Sequence, residues 1–456
     1  MATPAARPKA VIVAVHFPRV EDREFESSLE ELGRLVTTLG YQVVARVVQP
    51  RAHLEAAAVI GEGKLEELAE LTGGTGRLVT TAPKRRDKAR LRREAEDRAD
   101  DDDDDADDDD AEIGTADAKV DLVAVDHDLS PSQARNLERA SGVRVLDRTG
   151  VIIEIFHRHA KSREARLQVE IARLTYTAPR MRESPGGKER QRGRGAGEAA
   201  LELDRRKVRD RIAELREELE HVQRDQDVRR AHRRQARRIA LVGYTNAGKS
   251  SLMRALTASE VYVEDKLFAT LDTTVRALQP EAKPRILVSD TVGFIKKLPH
   301  DLVASFKSTL DEALEASHLL HVVDAADPSW EAQLEVTQEV LAEIGATEVP
   351  STLVMNKIDL LEPEALERLR RRLPDAWFVS ARDPADVASV RQRIVTIFEA
   401  AYEEIEIVIP YDRQAVLSEM HDAGRVVEER WEEAGVIVRW RSEPEAIGRI
   451  RARLRA

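Results

Sequence analysis

Residues 243–250 have the types and the spacing of a phosphate-binding loop, Gly-x-x-x-x-Gly-Lys-Ser. The two glycines of such a loop let the backbone curl until successive N–H groups point at phosphate oxygens. Lys249 adds a positive charge for the β- and γ-phosphates, and Ser250 offers a hydroxyl to Mg²⁺. The residues predicted here to bind a nucleotide are Gly243, Tyr244, Thr245, Asn246, Ala247, Gly248, Lys249, Ser250 and Ser251.

The chain around this loop has the secondary structure that a phosphate-binding loop needs. Residues 239–242 form a short apolar run, as in a buried parallel strand. Residues 251–256 then begin a helical pattern, whose first turn would present free N–H groups to the phosphates. The alternative is an ordinary glycine turn, which requires neither flanking element. We therefore interpret the loop as functional.

Three further motifs each follow a predicted strand. Asp290 is predicted to hold Mg²⁺ through its water shell, and the Gly293 N–H to meet the γ-phosphate. The Asp359 carboxylate can accept two hydrogen bonds from guanine, whereas adenine has no such pair of donors. Because an unpaired buried carboxylate is costly, this motif predicts GTP as the substrate. The nucleotide-binding residues predicted in these motifs are Asp290, Thr291, Val292, Gly293, Asn356, Lys357, Asp359, Ser380, Ala381 and Arg382.

The elements that would position these motifs alternate between strand and helix from residue 238 to residue 402. This alternation predicts a doubly wound sheet, whose ligands bind at the carboxyl ends of the strands. The predicted strands are residues 239–242, 285–289, 319–323, 351–355 and 376–380. Residues 403–456 change character and predict a small C-terminal α+β domain, with a hairpin between two helices.

The first 178 residues predict an N-terminal α/β domain with a largely parallel sheet. Its strands are predicted at residues 10–16, 41–48, 77–81, 120–125 and 143–146, and its helices at residues 25–39, 65–71 and 130–140. Residues 84–116 run from a basic stretch into ten aspartates, which repel one another, so we expect a mobile acidic insert.

Residues 151–176 have one long helical pattern, and residues 179–199 hold the glycines and prolines of a flexible loop. A second long helix follows, with a short heptad seam from residue 201 to residue 222. We favour an antiparallel hairpin of these helices over an oligomer, and expect a monomer. Residues 180–238 carry 19 Lys and Arg against 12 Asp and Glu, a surplus of 7 positive charges. This surplus suits binding to the phosphate backbone of a nucleic acid, and a solvated charged helix explains it equally well. The predicted domains are residues 1–178, 179–237, 238–402 and 403–456.

Composition limits the possible environments of the chain. The 456 residues contain no cysteine, which excludes disulfides and thiolate metal sites. No apolar run approaches the length of a membrane span and no secretory leader is visible, so we expect a cytoplasmic protein without membrane contact. The net charge of −12 would be −2 without the ten aspartates at residues 100–105 and 107–110, so the acidity is local.

The order of these motifs resembles that of the translation-factor-like GTPases, and longer segments resemble the HflX family. Residues 267–276 (Leu-Phe-Ala-Thr-Leu-Asp-Thr-Thr-Val-Arg) and 290–302 are similar to its first and second switches. Residues 61–67, 129–138, 146–150 and 162–170 resemble its N-terminal half. The glycine-rich loop is sparser than is usual in the family, and the aspartate tract is not part of the family pattern. The resemblance covers about residues 10–440. It implies a GTPase that binds the large ribosomal subunit and its RNA, and that separates stalled or idle ribosomes.

The resemblance also assigns roles within the switches. Thr274 is the predicted switch threonine for Mg²⁺ and the γ-phosphate, with Thr270 and Thr273 as rivals. The Mg²⁺ site would then comprise Ser250, Thr274 and Asp290, and the catalytic groups Lys249, Thr274 and Gly293. The first-switch residues predicted to bind the nucleotide are Phe268, Ala269, Thr270, Leu271 and Asp272.

Two positions bear on the rate of hydrolysis. Phe294 stands where related enzymes carry a water-orienting glutamine, so we expect slow intrinsic hydrolysis that a ribosome stimulates. Asn246 matches a position where related GTPases coordinate K⁺, although an amide that only stabilises the loop explains it as well. Two other functions stay open: a regulatory GTPase that acts through protein partners, and an ATP-dependent RNA remodeller.

Overall fold

The computed structural model describes residues 7–55, 57–78, 120–180, 195–231, 237–258, 267–268, 271, 273–282, 284–296 and 312–455. Contacts divide the chain into two units, Met1–Ile155 and Phe156–Ala456. The division falls within one helix, α4.

The first unit is built on a four-stranded parallel sheet of order β2-β1-β3-β4. The continuous apolar run 10–15 is buried on both faces of the sheet, as parallel strands are. Ser130 caps the helix after β3 by accepting the Gln133 N–H at 3.2 Å, and Gly142 ends that helix at φ +72°. The strands are β1 Lys9–His16, β2 Gln42–Pro50, β3 Leu122–Val125 and β4 Arg144–Asp147, and the helices are α1 Asp22–Thr38, α2 Glu62–Thr72 and α3 Pro131–Ser141.

Two predictions in this region meet a different outcome. Arg77 and Leu78, in the predicted strand 77–81, are not in a strand, and residues 79–81 lie outside the described residues, as does the acidic insert 84–116. The single long helix predicted over residues 151–176 is wrong, because the chain forms α4 Arg148–His159 and α5 Arg163–Thr177. The break exists because Ser162 caps α5, where its hydroxyl accepts the Ala165 N–H at 3.1 Å.

The helical hairpin is confirmed by the packing of α5 against α6 Gly195–Ala231. Leu167, Ile171 and Leu215 are buried at the seam between the two helices. The predicted flexible loop 179–199 is wrong at both ends: residues 178–180 form a 3-10 turn, and α6 already includes residues 195–199. Ala, Glu and Leu dominate residues 196–203, and their helix propensity outweighs that of the two glycines. Residues 181–194 lie outside the described residues.

The second unit contains a six-stranded sheet of order β10-β9-β8-β5-β7-β6, in which only β6 is antiparallel among the described strands. Ile239 and Leu241 of β5 pack on one face of the sheet, and Ala240 and Val242 pack on the other. The strands are β5 Arg237–Val242, β6 Thr274–Ala277, β7 Ile286–Asp290, β8 His318–Asp324, β9 Ser351–Asn356 and β10 Trp377–Phe378, and the helices are α7 Lys249–Thr257, α8 Trp330–Glu343, α9 Pro363–Arg372 and α10 Pro384–Glu399.

The C-terminal segment forms a three-stranded antiparallel sheet of order β11-β13-β12, covered by two helices. Trp440 is fully buried at its centre and donates its indole N–H to the Met420 carbonyl at 2.9 Å. The elements are β11 Glu403–Ile409, α11 Ala415–Ala423, β12 Gly424–Glu432, β13 Gly435–Ser442 and α12 Pro444–Arg455. The predicted α/β fold class is confirmed, whereas the domain boundaries stay a prediction. In the described part of the chain no helix combines the length and the apolar character needed to cross a membrane.

Candidate nucleotide-binding site

The loop between β5 and α7 has a backbone that only glycine can adopt at two positions. Gly243 has a φ of +147°, and a Cβ built there would lie 2.1 Å from the Val322 carbonyl oxygen. Gly248 has a φ of +93°, and its Cβ would lie 2.2 Å from the Asn356 side-chain nitrogen. The loop therefore has the curled backbone that an anion nest requires, at the carboxyl end of the central strand.

Lys249 is buried, with only 6% of the residue exposed, and its ammonium lies inside this loop. It donates to the carbonyl oxygens of Gly243 at 3.0 Å and of Tyr244 at 2.8 Å. Burial lowers the pKa of Lys249 to about 8, and the nearby charge of Asp290 opposes that shift. A buried ammonium that donates to two carbonyl oxygens is electrostatically favourable for binding an incoming phosphate.

The groups predicted to bind Mg²⁺ meet at the end of β7. Ser250 donates its hydroxyl to the Asp290 carboxylate at 2.5 Å, and Asp290 is fully buried. Thr274 is paired opposite Asp290 in the β6–β7 ladder, Thr273 precedes it directly, and Thr270 lies outside the described residues. Hydroxyl and carboxylate oxygens are ligands that suit Mg²⁺, and substrate phosphates would complete its shell. Which threonine contributes stays a prediction.

One side-chain amide joins the predicted guanine-binding motifs to the phosphate loop. Asn356 donates to the Ala247 carbonyl at 2.9 Å, and its amide oxygen accepts the Ala381 N–H at 3.1 Å. Ser380 donates its hydroxyl to the Asp359 carboxylate at 2.7 Å. The carboxylate expected to recognise guanine is therefore already oriented by a neighbouring motif.

Lys357 has a partner that the sequence analysis did not find. Its ammonium pairs with the Asp324 carboxylate at 2.7 Å, and its backbone has a left-handed φ of +62°. Asp324 ends β8 at the same edge of the sheet as the other motifs. That placement is the signal that would have identified it, since polar residues at the carboxyl ends of parallel strands converge on the ligand.

The start of the second switch is hydrogen-bonded to the phosphate loop. Thr245 donates its N–H to the Phe294 carbonyl at 2.8 Å, and Phe294 donates its own N–H to the Gly243 carbonyl at 3.2 Å. The Tyr244 hydroxyl accepts the Lys296 N–H at 2.7 Å. Phe294 is 2% exposed and packs among apolar residues such as Val242, so its ring does not reach the predicted phosphate position.

Leu267, Phe268 and Leu271 of the first switch are buried, whereas Thr273 and Thr274 are half-buried. Phe268 is 3% exposed, has a φ of +56°, and places its ring edge-on to that of Phe156, with centroids 4.6 Å apart. Leu271 is 2% exposed. The remaining predicted contacts of this switch, Ala269, Thr270 and Asp272, lie outside the described residues.

Comparisons with known proteins agree with this geometry. Three family models match: "GTP-binding GTPase N-terminal" at residues 26–81 and 111–157, "GTP-binding GTPase Middle Region" at residues 159–233, and "50S ribosome-binding GTPase" at residues 238–357. GTPase HflX of Gluconacetobacter diazotrophicus is 58% identical over 458 residues, which cover all of both chains. The chain belongs to the HflX family of GTPases. GTPase HflX of Escherichia coli is 35% identical over 437 residues, 94% of this chain and 92% of that one.

Membership of the HflX family confirms that the chain binds GTP and hydrolyses it to GDP and phosphate. The family also implies Mg²⁺ as the usual metal of the reaction. Among solved structures, a GTP-binding protein from Sulfolobus solfataricus in complex with GDP is 23% identical, with a TM-score of 0.42 over 85% of this chain and 98% of that one. The roles of the individual site residues stay predictions.

Proposed function

We propose that this GTPase binds the large ribosomal subunit in its GTP form and separates stalled or idle ribosomes into subunits. The observation that carries the proposal is the match of residues 238–357 to a family described as a 50S ribosome-binding GTPase. With this partner we expect the protein in the cytoplasm and partly on ribosomes, and we expect it to be a monomer when it is free.

The segment that contains the second helix of the hairpin carries a surplus of positive charge that suits ribosomal RNA. Residues 180–238 carry a surplus of 7 positive charges, and Arg205, Arg206 and Lys207 of α6 are exposed. Some of these charges pair along the helix, as Lys207 does with Asp204 at 3.0 Å. Exposed ion pairs of this kind contribute little free energy, so the cations remain available to RNA phosphates.

The nucleotide would control how long this surface stays bound. The γ-phosphate and Mg²⁺ order the two switches, and hydrolysis releases them. In this scheme the free energy of binding to the ribosome separates the subunits, and GTP hydrolysis then releases the protein from the ribosome. Because Phe294 faces the core, intrinsic turnover should be slow, near ~10⁻⁴ s⁻¹, and a ribosome could raise it by up to ~10⁵-fold.

Cosedimentation with purified large subunits tests the proposal. The protein with a non-hydrolysable GTP analogue should sediment with large subunits and still separate ribosomes in a sucrose gradient. Binding without separation would contradict the order of steps. No binding would favour a GTPase that acts through protein partners, and ATP-dependent unwinding of RNA would favour the remodeller.

The hairpin's part can be tested by charge reversal. The double variant Arg205→Glu and Arg206→Glu should weaken binding about tenfold or more and flatten its salt dependence, because two phosphate contacts are lost. Reversal of two exposed arginines on α12, Arg449 and Arg451, is the matched control. Equal losses in both variants would contradict a specific role for the hairpin.

We also propose that Asn246 binds K⁺ beside the phosphates. Its side chain is exposed and its backbone is left-handed at φ +61°, which leaves the amide oxygen available to a monovalent cation. Hydrolysis should then be faster in KCl than in NaCl, and Asn246→Ala should abolish the difference. Equal rates in the two salts would refute the proposal.

A further inference from the structure

Among the described residues of the second switch, the position of the water-orienting glutamine carries no polar side chain. At the position of the water-orienting glutamine stands Phe294, whose ring is 2% exposed and packs in the core. Its backbone is held there by hydrogen bonds to Gly243 and Thr245. A ring in that position can neither polarise water nor stabilise charge on a phosphoryl oxygen, so another residue is required for that task.

Thr245 has the side chain that fits this requirement. The residue is 6% exposed, and its buried hydroxyl has no hydrogen-bond partner among the residues that the structure describes. A buried hydroxyl without a partner costs free energy, so such groups in native proteins call for an explanation. A ligand that satisfies this hydroxyl would remove the cost.

The surroundings of Thr245 indicate which part of the ligand it meets. A Cβ built on Gly293 would lie 2.8 Å from the Thr245 methyl carbon and 3.1 Å from the Lys249 ammonium. Lys249 and the Gly293 N–H are the two groups that this class of loop directs at the γ-phosphate. The Thr245 methyl group and the Lys249 ammonium therefore both lie next to Gly293, where the terminal phosphate is expected.

We propose that the Thr245 hydroxyl donates a hydrogen bond to an oxygen of the γ-phosphoryl group and stabilises its charge during hydrolysis. The water oxygen bonds to the γ-phosphorus, the bond to the β-phosphate oxygen breaks, and the protons of the water leave with the products. Thr245 keeps its own proton throughout. GDP lacks the γ-phosphate, so this hydrogen bond contributes to hydrolysis and not to GDP binding. The proposal rests on GTP hydrolysis and is independent of the ribosome.

The test compares Thr245→Val, which has the same shape without the hydroxyl, with Thr245→Ser, which keeps the hydroxyl. Single-turnover hydrolysis by the full chain is measured together with its affinity for GDP. We expect Thr245→Val to hydrolyse GTP about 10- to 100-fold more slowly, which is the usual effect of losing a charge-assisted hydrogen bond. Its affinity for GDP should stay within about twofold of that of the wild type. Thr245→Ser should retain at least about a third of the rate.

Thr337→Val is the matched control, because Thr337 is a buried threonine of α8 whose hydroxyl donates to the Gln333 carbonyl at 2.9 Å. Its rate should equal that of the wild type. The proposal is overturned if Thr245→Val hydrolyses GTP at the wild-type rate, or if Thr245→Ser is as slow as Thr245→Val. A loss of GDP affinity as large as the loss of rate would also overturn it, since that result shows a purely structural role.

Discussion

The affinity for GDP should fall as the pH rises above 8, because the free protein then loses the positive charge in its phosphate loop. Burial lowers the pKa of Lys249 to about 8, against the opposing effect of the Asp290 charge. A bound diphosphate brings negative charge next to the ammonium and restores the protonated form. Binding above this pH must therefore take up a proton.

The size of the effect follows from the fraction of free protein that carries the proton. With a pKa of about 8, half of the free protein is protonated at pH 8 and roughly a tenth at pH 9. Relative to pH 7, the affinity for GDP should fall about twofold at pH 8 and about tenfold at pH 9.

Calorimetric titration with GDP in two buffers of different ionisation enthalpy measures both the affinity and the proton uptake. Lys249→Arg is the control, because an arginine stays charged over this range. Any pH dependence that remains in Lys249→Arg comes from the base or from other groups. An affinity that stays constant from pH 7 to pH 9, or the same decline in both proteins, would refute the reasoning.

Three further results are expected. Burial is the larger cause, and the Lys249 charge the smaller cause, that lowers the pKa of His321 to about 4. As the pH falls, this histidine therefore takes up a proton in the unfolded chain before it does so in the folded chain. His321 should therefore leave the free energy of unfolding unchanged above pH 6.5 and lower it by up to about 3 kcal/mol as the pH falls towards 4. Urea titrations of His321→Leu should not show this loss. Gly243→Ala should abolish nucleotide binding, because the new Cβ would clash with the Val322 carbonyl oxygen and the position has a positive φ. Gly63→Ala, in open space on α2, should instead raise the free energy of unfolding by about 0.5–1 kcal/mol in denaturant titrations. Normal nucleotide binding by Gly243→Ala would contradict the loop geometry. Asp359→Asn should weaken GTP binding by about a hundredfold and favour xanthosine triphosphate, because an amide N–H donates where the carboxylate accepted. Competition binding measures both affinities, and an unchanged preference for GTP over xanthosine triphosphate would contradict the predicted role of Asp359.

The sequence predicted the fold well where one physical signal dominates. The apolar run of β1 and the Ser130 cap of α3 located their elements to within one or two residues. The break between α4 and α5 was missed because apolar residues at helical spacing lie on both sides of it, and the break itself depends on the single cap at Ser162. Strand β6 was missed because it has only four residues, of which only Val275 and Ala277 are apolar and none is fully buried.

The site was predictable in its residue types and less so in its geometry. Spacing placed Lys249, Ser250, Asp290 and Asp359 at one edge of a sheet, where the structure has them. The orientation of Phe294 could not be predicted, because it depends on backbone hydrogen bonds between segments distant in the sequence. Asp324 was missed although it ends a strand at the same edge of the sheet, and its ion pair with Lys357 joins segments distant in the sequence.

The position of Asn356 has a consequence for fidelity. Its single amide bonds a carbonyl of the loop that is predicted to hold the phosphates and an N–H of the segment that is predicted to close over the base. A mismatched base that displaces this amide would also disturb the far end of the pocket. We therefore expect discrimination between nucleotides to be shared across the whole cleft, so that a poor fit at either end weakens binding at both.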